Sequence, residues 1–196
     1  MHDLQLPRRG PVGLGWAAEP ESSPGPRFWV TLARTSELQF ACVPAIAVNF
    51  VKIDPRPTAV IGQTTTWKEF PSVWGQLLEE VHRFVRTRTH LATGDGAELW
   101  QNVMLYKDDR PDVEVGVLVS GSFEPEGRVI ASELPGGEVA MANHGGDYAR
   151  LGMTHDAVRD QVVAHGRELA GPRWEIYGHW REDPSMLETE VFWLLR

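Results

Sequence analysis

Two stretches of the chain carry the same landmarks in the same order, and that repetition limits the folds open to it. Tyr106 precedes the acidic turn Lys107-Asp108-Asp109-Arg110-Pro111-Asp112 and then Val113-Glu114-Val115. Tyr177 precedes a second acidic turn, Arg181-Glu182-Asp183-Pro184, and then Thr189-Glu190-Val191. The flanking segments, Leu99 to Tyr106 with Val113 to Val119 and Arg173 to Trp180 with Glu188 to Leu195, read as hairpin strands joined by turn residues. A strand and a helix stand ahead of each hairpin. Thr58 to Thr66 is β-branched and alternating, and Pro71 then sits where a first helical residue often does. Val73, Trp74, Leu77, Leu78, Val81 and Phe84 recur at helical spacing behind it, with Glu79, Glu80 and Arg83 on the other side. Glu138 to His144 precedes a helix marked by Met153, Ala157, Val158 and Val162, which Gly171-Pro172 is expected to close. The order is β-α-β-β twice, an α+β class. One unit alone leaves a sheet face bare, so two pseudo-two-fold related units with antiparallel sheets are expected to form a concave ligand cleft between them. A doubly wound parallel sheet is disfavoured, because both strand pairs have short hairpin-type links.

Residues 1–47 differ from this regular part, residues 48–196. They hold six of the 14 prolines and four glycines, including Glu19-Pro20-Glu21-Ser22-Ser23-Pro24-Gly25-Pro26. Such proline density removes backbone donors and fixes dihedrals, which reads as a poorly ordered extension with room for a short strand from Phe28 to Leu32. Gly13-Leu14-Gly15-Trp16-Ala17-Ala18 fits a dinucleotide fingerprint in letters only, since prolines rather than a strand and a helix flank it.

Composition removes several function classes. One cysteine, Cys42, allows no disulfide framework, and seven scattered histidines offer no His-Glu-x-x-His pair, so no metal and no cofactor are expected. The net charge of −8, with 19 Lys and Arg dispersed along the chain, argues against direct contact with nucleic acid. No window approaches the about 20 apolar residues of a membrane span, and Pro7, Arg8, Arg9 and Pro11 interrupt any signal-like run, so a cytoplasmic protein is expected.

The most unusual local feature is an acid on an aromatic face. In Arg173-Trp174-Glu175-Ile176-Tyr177, strand alternation puts Glu175 on one side with Tyr177, while Glu190 shares a side with Phe192 and Leu194. A carboxylate among indole and phenol groups costs desolvation energy unless something compensates it, such as a bound cation or a catalytic proton. The plainer reading is an edge strand whose glutamate reaches water.

These residues resemble the GyrI-like small-molecule-binding domains, which also serve as effector-binding domains of AraC-type and MerR-type bacterial regulators. The resemblance runs through Val51-Lys52-Ile53-Asp54-Pro55-Arg56-Pro57-Thr58-Ala59-Val60, Asn102-Val103-Met104-Leu105-Tyr106 with Val113-Glu114-Val115-Gly116-Val117, Leu134-Pro135-Gly136-Gly137-Glu138 leading to His144-Gly145-Gly146-Asp147-Tyr148, and Trp174-Glu175-Ile176-Tyr177 with Thr189-Glu190-Val191. It covers about residues 48 to 196. It implies a pair of β-α-β-β halves and an aromatic pocket in which Glu175 contacts lipophilic, often cationic, ligands. The family's usual His-Arg-Gly-Pro-Tyr turn is His144-Gly145-Gly146-Asp147-Tyr148 here, a change that favours cations if the turn rims the pocket. No helix-turn-helix precedes the domain, so a stand-alone member is expected.

On that resemblance the candidate ligand-binding residues are Glu175, Tyr177, Tyr106, Tyr148, Trp100 and Trp67. Glu175, buried when empty, is expected to hold its proton more tightly and to recover charge when a cation arrives. Core packing is the alternative for the aromatics, above all for Trp67 and for Trp74 on the first helix, and a solvated or hairpin-paired acid is the reading for Glu114 and Glu190. Two other functions stay open. Some GyrI-like proteins are hydrolases of strained-ring, cyclopropanoid natural products, and Glu175 with Tyr148 or Tyr177 could direct water in that way. Others inhibit DNA gyrase, and the acidic balance of residues 48 to 196 would suit a protein partner.

Overall fold

The computed structural model of this chain describes residues 46–94 and 99–196. The expectations about Gly13 to Ala18, Phe28 to Leu32 and Cys42 lie outside those residues. Eight strands and two helices follow in the order β1 (Val48–Ile53), β2 (Arg56–Thr64), α1 (Phe70–Val85), β3 (Asn102–Tyr106), β4 (Asp112–Leu118), β5 (Ile130–Leu134), β6 (Gly137–Gly145), α2 (Leu151–Ala164), β7 (Leu169–Tyr177) and β8 (Glu188–Leu195). They form one antiparallel sheet in the order β1-β6-β8-β7-β3-β4-β2-β5.

The repeat is visible in the register. Tyr106 faces Val113 across the first hairpin and Tyr177 faces Thr189 across the second. The hairpins close with matching backbone bonds, the Lys107 N–H to the Asp112 carbonyl at 3.0 Å and the Gly178 N–H to the Glu188 carbonyl at 2.8 Å. Met104, Tyr106, Lys107 and Glu114 of one half therefore correspond to Glu175, Tyr177, Gly178 and Glu190 of the other. The halves join where β3 pairs with β7, Met104 opposite Glu175 and Tyr106 opposite Arg173.

Two strands went unforeseen. Lys52, Asp54 and Pro55 mask β1, and β5 has only one buried residue, Leu134, so neither shows a clear apolar alternation. Their role is to cross between the halves. β1 pairs with β6 and β2 with β5 on one uninterrupted register, from Val48 opposite Ala142 through Ile53 opposite Gly137 and Arg56 opposite Leu134 to Val60 opposite Ile130. Only Asp54 and Pro55 separate β1 from β2, although β1 is the edge strand at one end of the sheet and β2 the second strand from the other. The chain spans at most about 3.3–3.6 Å per residue, so the sheet must curl until its ends meet. Gly136 marks the crossing: a Cβ there would lie 2.5 Å from Cδ of Pro55, and only glycine leaves the two links room to touch.

The curled sheet has two unlike faces. Its inner face buries Val60, Val103, Leu105, Leu118, Leu134, Trp174, Ile176 and Phe192 against one another with no helix among them. Trp174 and Phe192 stack there with centroids 5.3 Å apart. The outer face takes α1 over β2 and β4, through Leu77, Val81, Phe84 and Val85, and α2 over β6 and β8, through Leu151, Val158 and Val162. Between the helices, β3 and β7 are left for a site.

Helix α2 ends earlier than expected. Gly166, with φ of +63°, caps it, and Gly171-Pro172 lies inside β7, where the register with β8 shifts between Leu169 and Arg173. A Gly-Pro pair reads as a helix stop in sequence, but a β-bulge needs the same residues. The second strand pair also stops short of its expected length, with β7 ending at Tyr177 and Trp180 left 71% exposed. Among the described residues no helix is long and apolar enough to cross a membrane.

Candidate functional site

Alternation along β7 sends Arg173, Glu175 and Tyr177 to the outer face and Trp174 and Ile176 to the inner core. Pairing across strands then makes two rows in the gap between the helices: Tyr106, Arg173 and Trp193 in one, Met104, Glu175 and Val191 in the other. Directly opposed strand residues lie close enough to interact, so the sheet itself assembles the cluster.

Glu175 is the buried charge at its centre, 4% exposed. Its Oε2 accepts from the hydroxyl of Tyr106 at 3.2 Å and from that of Tyr177. Its Oε1 lies 2.8 Å from Nε2 of His155, which α2 lowers onto the sheet. The Trp193 indole N–H, a donor only, approaches Nδ1 of His155 at 3.0 Å, so Nδ1 must be the acceptor and Nε2 carries the proton. His155 is thus a neutral donor toward Glu175, oriented by Trp193. A carboxylate offers about four acceptor positions, and three are filled. The one left is on Oε1.

The compensation expected of a bound cation is therefore supplied by three donors of the chain itself. Hydrogen bonds to the charged form stabilise it in a buried setting. The same arrangement acts on the phenols. Burial first, and then the adjacent Glu175 charge, push the Tyr106 hydroxyl far above the usual tyrosine range, and Tyr177 moves the same way for the same causes. Burial alone raises Tyr148. The chain has three tyrosines, and all three stand in this cluster.

A cation of the chain is already present. The Arg173 guanidinium lies 5.0 Å from the Trp193 ring, 5.3 Å from Tyr106 and 5.5 Å from Trp67, and bonds to Asp109 of the first acidic turn at 3.2 Å. Each such contact is worth about 0.5–2 kcal/mol, more when water is excluded. Arg173 and Glu175 are two residues apart on one strand face, so the cluster carries both signs of charge.

The expected site residues divide between floor and rim. Glu175, Tyr106 and Tyr177 are in direct contact. Tyr148, in a short turn before α2, sets its ring edge-on to Tyr177 at 5.4 Å, and no hydrogen bond links its hydroxyl to Glu175. Trp67 tilts over Tyr106 at 5.6 Å while its indole N–H donates to the Asp109 carbonyl at 3.1 Å. Trp100 precedes β3 rather than lying on it, and packs half-buried against the cluster under α1. Trp67 and Trp74, for which core packing was the main expectation, are 49% and 39% exposed. Both sit at the helix edge, where an indole covers apolar surface and stays wet on one side.

Sequence reasoning passed over Arg173, His155 and Trp193. Alternation alone places Arg173 beside Glu175, and the spacing His155, Val158, Val162 puts His155 on the buried side of α2. Trp193 needed the β7–β8 register, which no local pattern supplies. Glu114, read as solvated or hairpin-paired, is buried and pairs with Lys107 across its own hairpin at 2.7 Å. A cavity of about 300 Å³ exists elsewhere, on the inner face around Gly178 and Glu190. Among the described residues no group of three or more His, Cys, Asp or Glu is arranged to hold a metal ion.

The fold has relatives among solved structures. The C-terminal domain of EcmrR superposes with a TM-score of 0.61 at 18% identity, over 77% of this chain and 98% of that one. EcmrR in a complex with DNA gives 0.62 at 17% identity over 78% of this chain, which spans 58% of the EcmrR chain. SAV2435 bound to tetraphenylphosphonium gives 0.52 at 9% identity, over 77% and 94% of the two chains. These likenesses show the fold. No curated protein matches the chain by sequence. The model of the GyrI-like small molecule binding domain matches residues 47–196, the whole of the repeated architecture described above, and the chain belongs to that family.

Proposed function

We propose that the chain binds a lipophilic, cationic aromatic small molecule over Glu175, in the gap between α1 and α2. The observation that carries this reading is the carboxylate itself: buried, held in place by Tyr106, Tyr177 and His155, and left with one open acceptor position on Oε1. Tyr148, Tyr177 and Trp67 offer ring faces and edges around it, and an aromatic cation seated there would meet both the quadrupoles and the negative charge below. Tetraphenylphosphonium, the compound bound by SAV2435, is a ligand of this kind. Arg173 tempers the preference, because its charge partly offsets that of Glu175, so affinity should come from apolar burial and selectivity from the carboxylate.

Titration with tetraphenylphosphonium and with neutral triphenylmethane, read by tryptophan fluorescence, tests the proposal. The expected result is saturable quenching by the cation that Glu175→Gln weakens about 10- to 100-fold, a loss of about 1.4–2.8 kcal/mol, with the neutral compound little changed. Equal affinity of wild type and variant for the cation would overturn it. Mass spectrometry of electrophilic strained-ring compounds incubated with the protein separates binding from hydrolysis: a product heavier by one water would assign the carboxylate a catalytic role.

A further inference from the structure

The two halves treat one inner-face acid differently, buried in the first and half-buried in the second. In the first half Glu114 points to the inner face at 4% exposure, where its Oε1 meets the Lys107 ammonium at 2.7 Å and its Oε2 accepts from Ser132 at 2.8 Å. In the second half Glu190 occupies the corresponding position, and the residue corresponding to Lys107 is Gly178. Equivalent hairpin bonds fix that correspondence. Where the aminobutyl arm of a lysine would lie there is instead the cavity of about 300 Å³, lined by Gln101, Asn143, Ile176, Gly178, Glu188 and Glu190. Asn143 lies directly across from Glu190 and Ile176 forms the apolar side. Among the described residues the Glu190 carboxylate makes no hydrogen bond or ion pair, and no lysine or arginine lines the space. His144 also borders it, but both ring nitrogens are engaged, Nδ1 by the Thr154 hydroxyl at 2.8 Å and Nε2 by the Asp147 carbonyl at 3.1 Å.

We propose that this cavity is a second binding site, for the primary ammonium group of a small aliphatic amine, with Glu190 serving the ligand as Glu114 serves Lys107. The ligand would place its alkyl stem against Ile176 along the path a lysine stem would take, and would donate to Glu190, with the side-chain oxygens of Asn143 and Gln101 as further acceptors. A volume near the lower end for small-molecule sites suits an amine of a few carbons rather than a fused aromatic cation. Strand β7 separates the two sites, since Glu175 and Ile176 point to opposite faces.

The test is an NMR titration of the isotopically labelled full chain with n-butylammonium, and with n-butanol as the neutral match. Saturable shifts of the Gly178 and Glu190 amides with the amine, absent with the alcohol, are expected. Glu190→Gln should weaken the amine at least about tenfold, and Glu175→Gln should leave it unchanged, which keeps this site distinct from the proposed aromatic one. Gly178→Lys should abolish binding by supplying the missing ammonium; a Cβ there approaches the Glu188 carbonyl at 3.0 Å, so if that variant fails to fold Glu190→Gln decides alone. Amine shifts that survive in Glu190→Gln, that match those of butanol, or that fall only around Glu175 would each overturn the proposal.

Discussion

The first half of the molecule is closed where the second is open. At matching strand positions one half has Met104, Lys107 and a paired Glu114, and the other has Glu175, Gly178 and a Glu190 whose carboxylate has no partner among the described residues. Both halves keep their tyrosine, Tyr106 or Tyr177, and both keep an apolar face toward their helix. The backbone thus needs only the alternation of small apolar residues and the two turns. On the outer face the buried acid enters the second half only, Glu175 standing where the first half has Met104. A duplicated architecture of this kind can specialise without rebuilding its core, because each half keeps its own apolar contacts with its helix.

The seam between the halves is the strongest place to break the comparison. Trp174 is 1% exposed, stacked on Phe192, and belongs to an inner core fed by strands of both halves. Trp174→Ala should cost about 3–5 kcal/mol, and calorimetry should show both halves melting in one transition. Two separated transitions would mean that the halves are independent after all.

Opening the first half comes next in size. Lys107→Met leaves Glu114 buried with Ser132 as its remaining partner. Removing one member of a buried pair costs several kcal/mol, but Lys107 is 43% exposed, so about 1–2 kcal/mol is expected by denaturant unfolding. Combining it with Glu114→Leu should recover most of that loss.

Alkaline titration sharpens the contrast at the smallest scale. Tyr106 and Tyr177 hold their protons more tightly folded than unfolded, mainly through burial and then through Glu175. A raised folded value stabilises fully below the unfolded value of about 10 and is lost progressively as pH climbs above it, so the protein should weaken in alkali. Absorbance at 295 nm should show little phenolate until the chain unfolds, then a cooperative rise. Glu175→Gln should bring ionisation to lower pH. Ordinary, independent titration of the three tyrosines near pH 10 would contradict the buried cluster.

Much of the site was legible because strand alternation is a local rule. Glu175 with Tyr177, and Arg173 beside them, follow from a period of two within five residues. His155 follows from the period of α2. What stayed hidden depended on partners far along the chain: Trp193 on His155, Met104 opposite Glu175, and Trp67 anchored to the turn at Asp109. The same limit explains β1 and β5, whose partners in β6 and β2 lie about 70 to 94 residues away in sequence. Gly171-Pro172 shows the converse failure, since a glycine-proline pair ends a helix or bends a strand with equal ease.

By itself the sequence determined the α+β class, the two β-α-β-β units, the antiparallel hairpins and the acid on an aromatic face, because each rests on periodicity or turn chemistry within a short window. Only the tertiary structure decided that the units share one sheet joined at β3 and β7, that the ends of the sheet meet through the crossing at Pro55 and Gly136, and that Glu175 is satisfied by Tyr106, Tyr177 and His155. Those outcomes depend on which strands pair and how the sheet curls, and pairing is a contest among distant segments for the same hydrogen bonds and the same buried area, which no local pattern can resolve.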